Sequence, residues 1–270
     1  MRRTAAALCA AALLATGACA ADDPESIVDM EVLRIGVPDD YPLLGAPDEN
    51  GDLVGFEIDV AEHLAAELGA EPKWIPVANE DREAFLQAGK VDMVVAAYSI
   101  TADRKQEIDF AGPYVLESFN VMVREDDDSI ATLGDLEGKT VCDSRYSNVV
   151  LRIEGEHGVQ VDTYEVRSFA DCLDVLAEGG IDAIATDEFV LAGLKFSRSD
   201  LRLKILDIRF SNERIGIGLR SGDTAGCEAL NRAITEMYTD GTMARTLQEW
   251  FASEGLDVAD PPIPQFEGCE

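Results

Sequence analysis

AGKVDMVVAAYS, residues 88–99, and EGGIDAIATDEF, residues 178–189, follow one pattern. In each, a helix-like run closes on glycine, and a short apolar, β-branched run follows and stops at polar residues. Such runs read as buried strands. Outward from the first copy, VLRIGV (32–37) and KWIPV (73–77) read as further strands. EIDVAEHLAAELG (57–69) has apolar residues at helical spacing and ends in Gly69, and REAFLQAG (82–89) is a second helix candidate. DENGDLVGF (48–56) reads as a hairpin turning at Asn50-Gly51. The βαβαβ order argues for a largely parallel sheet with right-handed crossovers.

The second copy lies in a second such set. KTVCD, QVDTYEV, IDAIAT and LRLKIL are its strands, and VVLRIEGEHG, SFADCLDVLAEG and DEFVLAGLKF its helices. Two long strand candidates, 117–125 and 214–220, bracket the set, and the chain ends in two helical runs from about Ala225. Ligands of parallel sheets bind beyond the carboxyl ends of strands. Ser99, Thr101 and Arg104 follow one such end and Asp187 the other, so two lobes would bring them face to face across a cleft. Thr101 is a helix N-cap candidate. Arg104 then falls in a first turn, where the helix dipole favours anions and opposes a cation.

The bulk numbers narrow the function. With 53 acidic against 22 basic residues, the formal net charge is −31, which repels nucleic acid. MRRTAAALCAAALLATGACAADD reads as a secretory signal over residues 1–19, with Cys19 as a lipidated residue and 20–30 as a linker. Its apolar run of about 15 residues is too short to span a bilayer. We pair Cys142 with Cys172 and Cys227 with Cys269, the second bridge pinning the tail 253–270. His63 and His157 lie on polar helical faces, and the chain has no G-x-S-x-G, H-E-x-x-H or P-loop. DENGDLVGFEID has Leu53 where a calcium loop needs its sixth-position glycine. No cofactor or metal is expected.

LRIGV, GFEIDVAEHLAAELG, VDMVVAAYSITADRKQEIDFAGPY, LEGKTVC, IDAIATDEFVLAG and RIGIGLR together resemble the family-3 extracellular solute-binding proteins, the polar amino-acid receptors of ATP-driven (ABC) importers. SIT-x-x-R-x-x-x-x-DF followed by PY is the specific part, and the resemblance extends over about residues 31–252. Glutamate/glutamine receptors of Gram-positive bacteria are the nearest type, and they also carry a cysteine in the second-lobe strand and another in the following helix.

The resemblance implies an α/β, two-lobed periplasmic-binding-protein-like fold, each lobe a mostly parallel sheet with flanking helices, joined by two hinge crossover strands. Lobe 1 would comprise 31–120 and 217–252, and lobe 2 residues 121–216. Arg104 would grip the ligand α-carboxylate beside Ser99. That explains a cation next to free helix N–H groups, because an external carboxylate suits both. Asp187, the Ala97 carbonyl and the Ser99 hydroxyl would take the α-ammonium. Relatives often place an aromatic lid after the first strand. Here Asp40 stands at that position, with Tyr41 beside it as the lid. In the loop after the second-lobe strand, Ser147 and Asn148 keep the polar character, while Arg145 and Tyr146 are bulkier than usual. Arg145 would suit a ligand side-chain carboxylate, and Asp40 a basic ligand.

The expected protein is therefore a monomeric, exported, membrane-anchored receptor that hands glutamate, glutamine or aspartate to a permease. The rival readings are a sensor lobe for a membrane kinase and an enzyme of the same fold, such as a dehydratase.

Overall fold

In the computed structural model, residues 26–269 are described. The expected signal, the lipidated Cys19 and the first part of the linker lie outside them.

The chain opens with strand β1 (Val32–Val37) and the short hairpin β2 (Ala46–Pro47) and β3 (Leu53–Val54). Helix α1 (Phe56–Glu67), β4 (Glu71–Pro76), α2 (Arg82–Gln87), β5 (Met93–Val94) and β6 (Asp109–Glu117) follow. The middle holds β7 (Phe119–Arg124), β8 (Thr140–Ser144), α3 (Val149–His157), β9 (Asp162–Val166), α4 (Cys172–Ala177), β10 (Ala183–Asp187), α5 (Glu188–Ser197) and β11 (Leu203–Ile205). Strand β12 (Glu213–Leu219) and helices α6 (Thr224–Thr239) and α7 (Thr242–Phe251) complete it.

Two five-stranded sheets result, ordered β4-β1-β5-β12-β6 and β11-β7-β10-β8-β9. β1 runs parallel to β4 and β5, and β8 parallel to β9 and β10. The strands beside the crossovers run the other way: β12 is antiparallel to β5 and β6, and β7 to β10 and β11. A strand arriving directly from the other sheet needs no crossover helix, so it is free to pair antiparallel.

The two expected crossover strands need correction. The run 117–125 is broken at Ser118, with β6 in the first sheet and β7 in the second. β12 lies wholly in the first sheet, so the return crossing precedes Glu213 instead of falling at 216–217.

Helix α5 follows a strand of the second sheet yet packs on helices of the first set. Its Phe189 ring stacks on Phe251 of α7 at 4.4 Å and meets Phe56 of α1 edge-on at 6.2 Å. Gly193 of α5 permits this approach, because a Cβ there would stand 1.8 Å from the Pro42 carbonyl oxygen. Cys142–Cys172 ties β8 to α4, and Cys227–Cys269 ties the tail to α6. Among the described residues no helix is long and apolar enough to cross a membrane.

Candidate functional site

The segment leaving β5 is held on three sides before it reaches Arg104. The Val95 amide donates to Gly36 O of β1, the Gly216 amide of β12 donates to Tyr98 O, and the Ile100 amide donates to Arg214 O. At Ala97 the backbone turns into the left-handed region, φ 44°. The Arg104 amide donates to the Thr101 hydroxyl at 3.3 Å, but the helical part is a single 3₁₀ turn over Arg104–Gln106 whose N-cap is Asp103, two residues beyond the expected Thr101, because 102–103 form a separate turn first.

The Arg104 guanidinium is fixed by what surrounds it. Nη1 donates to the Ser99 carbonyl at 2.8 Å, and Nη2 donates across the cleft to the Tyr146 carbonyl at 2.8 Å. Glu83 lies 3.6 Å from Nε. Burial, then repulsion from Arg82, lowers the group to about 10, so it remains a cation at neutral pH. Arg82 and Arg104 both lie against the Tyr98 ring, 4.2 and 4.9 Å from its centroid, where the π-cloud offsets part of their desolvation.

From the second sheet, β10 ends at Asp187, which is buried and stands just before α5. Asp187 Oδ1 has no hydrogen-bond partner among the described residues. Burial first, and then the charge of Glu213, raises its pKa.

Asp187, Arg82, Arg104 and Ala97 line one enclosed cavity, together with Ser147 and Asn148 at the start of α3. Tyr41, buried in the loop after β1, closes it from the side of the first sheet, and its hydroxyl accepts from Asn79 Nδ2 at 3.0 Å. Phe119 and Phe169 supply apolar wall. The cavity measures about 20 Å³, room for about one water. It sits behind an open groove of about 830 Å³ that runs along the cleft mouth past Arg104, Tyr146, Asn148 and Leu151.

Arg104, Ala97, Asp187, Tyr41, Ser147 and Asn148 are thus gathered at the cavity, while the other expected residues stand elsewhere. Arg145 is exposed and turned outward, with Nε 2.9 Å from Glu165 and Nη1 3.8 Å from Glu80. It does not line the cavity, because its neighbours in the β8–α3 loop take the inward positions. Asp40 is half-buried and also does not line the cavity. Tyr146 offers its backbone carbonyl to Arg104 while its ring is exposed on the groove. Ser99 is buried and contributes its carbonyl to Arg104.

Arg82 is the residue the sequence reading missed. It is 2 % exposed, and Nη1 donates to the Ala96 carbonyl at 2.9 Å. Its Nε has no partner among the described residues. One signal was available: Arg82 stands four positions before Leu86, so both fall on the inward stripe of α2.

Residues 33–253 match the family described as bacterial extracellular solute-binding proteins, family 3. The glutamate-binding protein GluB of Corynebacterium glutamicum is 32% identical over 241 residues, covering 84% of this chain and 81% of that protein. The L-cystine-binding protein TcyJ of Escherichia coli is 31% identical over 227 residues, covering 82% and 83%. An ancestral arginine-binding protein bound to arginine superposes with a TM-score of 0.76 at 33% identity, covering 82% of this chain and 98% of that one.

Proposed function

This chain belongs to family 3 of the bacterial extracellular solute-binding proteins, and from that premise we propose that it captures an acidic amino acid, L-glutamate or L-aspartate, between its lobes for the permease of an ATP-driven importer. The observation that carries this reading is a pair of unspent, buried hydrogen-bonding atoms on residues lining one cavity, Arg82 Nε and Asp187 Oδ1. A buried donor and a buried acceptor left unmade are costly, and a zwitterion repays both.

In this reading Arg104 receives the α-carboxylate, Asp187 and the Ala97 carbonyl receive the α-ammonium, and Arg82 receives the side-chain carboxylate. Among the side chains that line the cavity, two guanidiniums face one carboxylate, an arrangement that favours a ligand with a second carboxylate. Glutamine would offer Arg82 a neutral amide in place of a carboxylate and bind more weakly. Arg82 here takes the part that Arg145, paired on the surface, does not fill.

The cavity of about 20 Å³ is smaller than an amino acid, so the lobes must part to admit one. The ligand docks first on Arg104 of lobe 1. Lobe 2 then swings in with Asp187 and the 145–148 loop, pivoting at Ser118 and in the segment 206–212, the two places where the chain crosses. No bond is made or broken in this cycle. Export, anchoring through Cys19 and a monomeric state complete the proposal.

The test is Arg104→Ala, titrated with L-glutamate and L-aspartate by calorimetry. A loss of about 2–5 kcal/mol relative to wild type is expected, because the substitution strands a buried carboxylate. Near-wild-type affinity would remove Arg104 from the site.

A further inference from the structure

We propose that Glu57 is a positioning residue for ligand recognition, holding the Ala97 carbonyl in the orientation that meets the ligand ammonium. The proposal rests on the functional reading above.

Ala97 adopts φ 44°, a region that residues with a Cβ enter only when their surroundings enforce it. What enforces it is visible. The Ala97 amide donates to Glu57 Oε1 at 2.6 Å, with both residues buried. A bond from an amide to a carboxylate is short and strong when water is excluded. Glu57 is itself immobilised. It is the second residue of α1, where the helix dipole favours a carboxylate, and the Tyr114 hydroxyl donates to the same oxygen.

Anchoring thus runs from α1 through Glu57 to the Ala97 amide and across that residue to its carbonyl. On the far side, among the described residues, the Ala97 carbonyl accepts only a long bond from Arg82 Nη1, 3.4 Å, so a lone pair is free for an ammonium at the cavity that Ala97 lines together with Asp187. Without an acceptor at Glu57, the Ala97 amide would be buried and orphaned. The turn would relax toward the right-handed region and carry the carbonyl away from the ammonium. Glu57 acts at one remove from the ligand and does not line the cavity.

The test compares Glu57→Gln, which keeps an acceptor oxygen, with Glu57→Leu, which keeps the volume and loses the acceptor. Affinity for L-glutamate, or for whichever protein amino acid shifts the wild-type melting temperature most, is read by calorimetry well below each variant's melting temperature. The Gln variant is expected within about threefold of wild type and the Leu variant at least tenfold weaker. A Leu variant that melts lower but binds as well as wild type would overturn the proposal, since the role would then be structural only. A Gln variant as weak as Leu would also overturn it, since the charge and not the acceptor would matter. Should the Leu variant not fold, the Gln variant decides by the same limits, supporting the proposal within threefold and overturning it beyond tenfold. A wild type that binds none of the twenty amino acids overturns the functional reading and this assignment together. Binding by the wild type with an indifferent Leu variant overturns this assignment alone.

Discussion

Asp187 is the residue on which the proposed chemistry turns, because it must be an anion to hold an ammonium and its surroundings disfavour the anion. Burial raises its pKa, and Glu213 raises it further. The ligand-free protein therefore holds a proton there above the ordinary aspartate range, and a bound ammonium expels it. The sign follows: ligand binding releases a proton, so affinity should rise with pH up to about 8, the value to which burial and Glu213 push Asp187, and level off above it. Arg104, lowered only to about 10, keeps its charge throughout this window. Calorimetry in two buffers of different ionisation enthalpy counts the proton directly, and Asp187→Asn should abolish both the release and the pH slope. A pH-independent affinity in wild type would show that Asp187 does not titrate with binding. At this scale the position of Arg104 and Asp187 at the cavity was legible in the sequence because each follows a strand end at a topologically marked place. It hid Arg82 inside a helical run, and it promoted Arg145 because adjacency in a loop does not tell which side chains turn inward.

Among the elements, α5 is the joint between the two halves. Its N-terminus follows Asp187, its Phe189 packs on Phe56 and Phe251, and its Gly193 lies against the Pro42 carbonyl. A Cβ at position 193 would meet backbone, which cannot rotate aside. Gly193→Ala should therefore lower stability by about 1–3 kcal/mol and weaken binding by displacing Asp187 and Tyr41 from each other. Denaturant unfolding and calorimetry on the same variant check both effects. Unchanged stability would mean that the 41–45 loop yields freely. The helices and strands themselves were largely legible from period and glycine punctuation. The crossings were less so. A continuous apolar run such as ESFNVMVRE does not announce that Ser118 divides it between two sheets, because both halves are buried and share one pattern.

Across the whole molecule, closure is written in bonds between the two sets of elements. Asn79 Nδ2 lies 3.2 Å from Ser144 Oγ, Arg104 reaches the Tyr146 carbonyl, and Arg145 and Arg167 pair with Glu80 and Asp81. The last group is exposed and adds little on its own, so the preference for a shut cleft must come from the Asn79–Ser144 and Arg104–Tyr146 bonds and from the ligand itself. A ligand that replaces the bond between Arg104 and Tyr146 and satisfies Arg82 and Asp187 together would favour a cleft shut around it, which is what a permease must recognise. The direct measurement is a thermal-shift screen of the purified protein against the twenty amino acids and small dicarboxylates. A ligand at about 100 times its dissociation constant adds roughly 2.7 kcal/mol of stability. The account predicts a clear rise in melting temperature with L-glutamate or L-aspartate and a smaller one with L-glutamine. A shift with arginine or lysine and none with the acidic amino acids would contradict it.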